Sequence, residues 1–187
     1  IPVASDFTQP LDGLPLVGDM PVLVFFPGST IGNFEPDAAR QLLDNIRIAM
    51  PGSTLVIGVD RPKDISQLIT AYDDPAGVTA AFNKNLLQRI NRELGADFDL
   101  SAFRHRAIWN AVQSRIEMHL EALSEQTVRI SGQTITFAKG ETIHTENSHK
   151  YSDAAFTEIA AAAGWQVTDA DQDAEGLFSV YTLSVNR

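Results

Sequence analysis

Two short apolar runs limit the fold more than any other feature of this chain. Val22 to Phe26 is closed by Pro27-Gly28, and Thr54 to Val59 ends at Asp60. Fully apolar runs of this length suit strands buried on both faces, as in a parallel sheet. Between them, Glu35-Pro36-Asp37 opens a helical stretch in which Leu42, Leu43, Ile46 and Met50 recur at helical spacing, and Pro51-Gly52 ends it. Strand, helix and strand in that order make a βαβ unit, so the expectation is an α/β fold. Open sheets of that kind bind ligands at the C-terminal ends of their strands.

After residue 61 the pattern changes. Asp64 can cap a helix through Ile65, Leu68, Ile69 and Tyr72, and Asp73-Asp74-Pro75 breaks it. A longer helix follows, with Val78, Phe82, Leu86, Ile90 and Leu94 on one face and Gly95 as its cap. Arg115 to Leu123 alternates polar and apolar, which predicts a half-exposed strand carrying Ile116, Met118 and Leu120 inward. Thr127 to Ile130 and Thr134 to Phe137 flank Ser131-Gly132-Gln133, a hairpin signal. Ser152 then caps a helix stopped by Gly164, and Trp165 to Val167 and Leu177 to Val185 read as closing strands. The expected organisation is a partial α/β domain over 1–61 and 151–187, with an α+β lobe inserted over 62–150.

The 187 residues, 44% of them hydrophobic, can bury a core without staples, and there is no cysteine to form disulfides or thiolate metal sites. A net charge of -10 repels phosphate backbones, so nucleic acid is not an expected partner. No apolar stretch reaches the roughly 20 residues of a membrane helix, and Ile1 to Phe7 lacks the marks of a signal peptide. A cytoplasmic, monomeric enzyme is expected.

Candidate chemistry clusters in three places. The loop from Phe26 to Phe34 leaves the end of the first strand; its Gly28 and Gly32 let backbone approach a ligand, and Asn33 offers a neutral amide. Asp6-Phe7 pairs an acid with a ring, a combination that can hold an adenine by hydrogen bond and stacking. Glu141 to Tyr151 is polar; on an extended segment Glu146 and Ser148 share one face and can read the nitrogens of an imidazole. His144, Glu146 and His149 fit no zinc spacing and lack an obvious further ligand, so no metal is expected. Walker loops and nucleophile elbows are absent from the sequence, which leaves NTPase and hydrolase readings without support.

Phe25-Phe26-Pro27-Gly28-Ser29-Thr30-Ile31-Gly32-Asn33-Phe34-Glu35-Pro36 resembles the central signature of the histidine-specific α-amino methyltransferases of ergothioneine biosynthesis. Gly58-Val59-Asp60, Ala71-Tyr72-Asp73-Asp74, Phe103-Arg104-His105, Arg115-Ile116-Glu117-Met118-His119 and Glu141 to Ser148 follow in the same order. The resemblance implies a class I methyltransferase (Rossmann-like) fold with an inserted substrate lobe, and S-adenosylmethionine as the cofactor for trimethylation of histidine to hercynine. It implies that Gly28, Asn33 and Tyr72 hold the amino-acid head group. It further implies that Glu146 and Ser148 read the imidazole beside Met118, and that Asp6 and Phe7 contact the cofactor. The family's glycine-rich cofactor loop is expected upstream of Ile1, so this chain is expected to bind the cofactor poorly by itself. His149 stands where many relatives are expected to carry an aromatic residue. The alternatives are the same fold acting on another amine, such as an indole amino acid, or a non-catalytic amino-acid-binding fragment.

Overall fold

The computed structural model describes residues 2–11, 13 and 20–185. Along the chain run β1 (Leu23–Phe26), α1 (Pro36–Ala49), β2 (Thr54–Asp60), α2 (Ile65–Tyr72), α3 (Val78–Leu94), β3 (Phe103–Asn110) and β4 (Arg115–Ala122). They are followed by β5 (Gln126–Ile130), β6 (Gln133–Phe137), β7 (Thr142–His149), α4 (Asp153–Ala162), β8 (Trp165–Gln172) and β9 (Phe178–Val185). The chain divides into two compact units, Ile1–Pro62 with His149–Arg187 and Lys63–Ser148.

The first unit is built on a four-stranded sheet of order β1-β2-β9-β8. β1 and β2 are parallel, with Leu23 opposite Thr54 and Phe26 opposite Ile57, whereas β9 runs antiparallel to both β2 and β8. Pro36 at the first helical position and Asp37 in the first turn start α1, where a missing N–H is harmless and a negative charge faces the helix dipole. Its buried side, Ala39, Leu42, Leu43 and Ile46, packs with Leu55, Ile57, Val59, Phe156, Trp165 and Leu183. The buried Trp165 satisfies its one donor by giving Nε1–H to the Leu43 carbonyl at 2.9 Å. β1 departs from the expectation of burial on both faces. It lies at the edge of the described sheet, and Leu23 and Phe25 are exposed, whereas Leu55, Ile57 and Val59 of the interior strand β2 are fully buried.

The second unit has a three-stranded sheet of order β3-β4-β7 and the β5-β6 hairpin. Its core gathers Leu87, Phe98, Phe103, Leu120, Ala122, Val128 and Phe137, with the Phe98, Phe103 and Phe137 ring centroids 5.5 to 6.2 Å apart. Ser131 and Gly132 both take positive φ, as a tight two-residue hairpin turn demands. The apolar stripe of α3 is not its buried side. Its buried positions are Asn83 and Leu87, and Val78, Phe82, Leu86 and Leu94 are exposed. The helix is rotated by about one residue from the apolar stripe, because Asn83 is drawn inward by hydrogen bonds to His105 Nδ1 at 2.9 Å and the His119 carbonyl at 3.3 Å.

Candidate functional site

In the first unit, the loop after β1 is fixed by contacts to the end of β2. Ser29 sits in the left-handed region and caps a short 3-10 turn, Thr30–Asn33. Its Oγ accepts the Asp60 N–H at 2.8 Å. Gly58 makes room for this approach: a Cβ there would meet the Phe178 ring at 2.8 Å and the Gly28 nitrogen at 3.1 Å. Gly28 has φ +77° and nothing within 4 Å of where a Cβ would stand, so its backbone faces open space. Asn33 ends the turn, exposed. The same strand ends hold a group that the sequence reading did not single out. Lys150, fully buried, places Nζ 2.7 Å from Asp60 Oδ2, and Tyr151 N–H donates to the Asp60 carbonyl. A buried lysine needs such a partner, since desolvation penalises an unpaired charge severely. The nearest sequence signal was Asp60 at the end of an apolar strand.

Asp6 and Phe7 lie close to this loop. The Phe7 ring meets Phe26 and Phe34 edge-on, at centroid distances of 5.8 and 6.3 Å, while remaining 42% exposed. The Asp6 carboxylate accepts from Thr8 N–H at 3.0 Å and Thr8 Oγ1 at 2.7 Å. Those bonds hold it below the usual carboxylate range, and it is therefore an anion at neutral pH.

In the second unit, the end of α2 meets the end of β7. The Tyr72 hydroxyl and Ser148 Oγ are 2.7 Å apart, and Ser148 is buried. Glu146 lies two residues before Ser148 on the same strand, so strand periodicity gives the two one face. Met118, on β4, is buried, and its carbonyl accepts from Thr145 Oγ1 at 2.9 Å. His105 was present in the sequence pattern but carried no assigned role. Its Nε2–H donates to the Tyr72 carbonyl at 2.7 Å, while Nδ1 takes a hydrogen bond from Asn83. The imidazole thus ties α2, α3 and β3 together at Tyr72. Asp74 accepts from Val78 and Thr79 N–H, which starts α3 and holds its carboxyl at about 2. The doublet Asp73-Asp74 accordingly lies where one helix stops and the next begins. No helix among the described residues is long and apolar enough to cross a membrane.

Residues 1–185 match the sequence model of a family described as histidine-specific, SAM-dependent methyltransferase. The histidine N-alpha-methyltransferase of Mycolicibacterium smegmatis is 44% identical over 181 residues, covering 95% of this chain and 56% of that protein. The histidine N-alpha-methyltransferase of Mycobacterium tuberculosis is 46% identical over 165 residues, covering 87% of this chain and 51% of that protein. The chain therefore spans about half the length of these curated relatives. Among solved structures, the CcbJ methyltransferase of Streptomyces caelestis aligns with 100% of this chain and 64% of its own, at a TM-score of 0.51 and 16% identity. At that identity the likeness concerns the fold, that of a class I methyltransferase.

Proposed function

From the premise that this chain belongs to the histidine-specific, S-adenosylmethionine-dependent methyltransferases, we propose that the protein carrying it methylates the α-amino nitrogen of histidine. The trimethylated product, hercynine, and a place in ergothioneine biosynthesis are part of the proposal. The observation that carries it is the Tyr72–Ser148 hydrogen bond, with Glu146 on the same face of β7 as Ser148. A carboxylate and a hydroxyl on one strand face can pair with both nitrogens of an imidazole, one accepting N–H and the other donating or accepting. An indole offers that pair a single N–H, and phenylalanine offers none. Met118 supplies a soft, adaptable apolar surface suited to packing on a ring.

We assign the amino-acid head group to Gly28, Asn33 and Tyr72, and the second unit, Lys63–Ser148, to substrate recognition. Asn33, exposed at the end of its turn, has an amide able to donate to a carboxylate or accept from an amine. The residues near β1 suit the cofactor. Gly28 presents open backbone at the end of a parallel strand, Asp6 is anionic, and Phe7 leaves part of its ring uncovered. Asp6 and Phe7 would hold the adenosyl group. S-adenosylmethionine, when bound, supplies an electrophilic methyl whose leaving group is a neutral thioether. What the protein must then do is fix the amine in line and let it lose a proton, and positioning of that kind is worth several kcal/mol. A tyrosine near the amine can accept that proton directly or through water.

The test is methyl transfer from labelled S-adenosylmethionine to histidine by the intact protein, with the product identified by mass, together with calorimetry of histidine binding to Asn33→Ala. Transfer to histidine is expected, and the variant should lose about 1.5–3 kcal/mol of histidine affinity, the worth of a hydrogen bond to a charged group. Absence of transfer to histidine, with transfer to another amine, would overturn the substrate assignment. Unchanged affinity in the variant would make the loop after β1 a turn and nothing more.

A further inference from the structure

Three side chains of the β3-β4-β7 sheet that the methyl-transfer reading does not use come close together. Glu117 and His119 flank Met118 on β4, and the His144 ring of β7 stacks on His119 at a centroid distance of 4.5 Å. One ligating atom from each of Glu117, His119 and His144 lies within 4.8 Å of the others. We propose that Glu117, His119 and His144 form a binding site for a divalent transition-metal ion of the zinc class.

One pair of donors already has the spacing of a coordinated set, and ligation by both imidazoles requires the exposed His144 ring to turn out of its stack on His119. Glu117 Oε2 and His119 Nε2 are 3.2 Å apart. Two donors each about 2.0–2.2 Å from one ion stand roughly 3.0–3.6 Å from each other. Without an ion, His119 Nε2–H donates to Glu117 Oε2; an ion held between these two atoms displaces that proton to Nδ1. His144 gives its Nε2–H to the Glu146 carbonyl at 3.2 Å. That bond to a backbone oxygen fixes the tautomer and leaves Nδ1 unprotonated, as in many metal-binding histidines.

The donor set defines the class of ion. The second Glu117 oxygen, Oε1, is committed to Arg115 and Asn110, each at 2.8 Å. One carboxylate oxygen with a nearby guanidinium is a poor site for magnesium or calcium, which need several hard oxygens. Two imidazoles and one carboxylate suit zinc, cobalt, nickel or copper.

The experiment is titration of the metal-free protein with Zn²⁺ by calorimetry, and with Co²⁺ followed by its visible absorption. One equivalent should bind with micromolar or tighter affinity, and the cobalt bands should show imidazole ligation. His144 is exposed, so His144→Ala should keep its circular dichroism and lose at least about tenfold in affinity. Glu117→Gln should weaken binding as well. Millimolar binding in the parent would overturn the site. So would unchanged affinity in both variants, which would move the ion to His105 or His149, the other two of the four histidines.

Discussion

At the scale of single residues, close backbone approaches and one buried hydroxyl set the terms at the end of the first unit's sheet. A Cβ on Gly32 would stand 2.7 Å from the His149 carbonyl oxygen, so only glycine lets the turn after β1 pass the end of β7. His149 therefore shapes this region through its backbone, while its Nε2 lies 3.7 Å from Glu35. Tyr151, two residues on, has a buried hydroxyl with no hydrogen-bond partner among the described residues. Burial, with the negative charge of Glu35 adding to it, pushes that hydroxyl up to about 12. Unfolded tyrosine ionises near about 10. The folded state thus keeps its proton longer than the unfolded state does, so this contribution is fully present below about pH 10 and is lost as pH rises toward 12. Alkaline denaturation should show stability falling by about 1.4 kcal/mol per pH unit across that window. Tyr151→Phe should abolish that slope and leave the melting temperature at pH 7 unchanged or raised, because it deletes an unsatisfied buried group. A variant that melts lower at pH 7 would mean that the hydroxyl is bonded after all.

At the scale of elements, sequence signals were readable where a local rule decides the outcome. Pro36, Asp64 and Ser152 start helices through position and capping, and the Asp64 and Ser152 side chains accept from Gln67 and Ala155 N–H. The alternation of Ile116, Met118 and Leu120 gave the inward face of β4. The sequence failed where polar groups compete with the apolar pattern. α3 turns Asn83 inward, because a buried amide bridging His105 and the His119 carbonyl outweighs an apolar stripe. β3 and β7 are half-polar strands with little alternation to announce them, and the contacts that matter there, Tyr72 to Ser148 and His119 to His144, join distant positions. The rotation of α3 has a direct consequence. Phe82→Ser, on the exposed side, should change the free energy of unfolding by no more than about 0.5 kcal/mol, whereas Leu87→Ala should cost about 2–5 kcal/mol. Denaturant titration of the two variants checks this, and equal losses would place the apolar stripe on the buried side.

At the scale of the whole molecule, the chain divides into its two units at Pro62/Lys63 and Ser148/His149. β7 ends at His149, the residue at which the first unit resumes. The fold class was legible because βαβ patterning is local and strong. In the second unit, the two-residue spacing of Glu146 and Ser148 was legible as one strand face, whereas the roles of Tyr72 and Met118 came through the family signature. The central claim is that those two residues read an imidazole, and a site built to pair ring nitrogens rejects rings that leave its own groups unpaired. The measurement is kcat/KM for histidine, phenylalanine and tryptophan, in the intact protein and in Glu146→Ala. The account predicts a wide preference for histidine that narrows in the variant, with histidine falling most and the apolar rings falling least. Equal proportional losses on all three substrates would make Glu146 a structural residue and contradict the account.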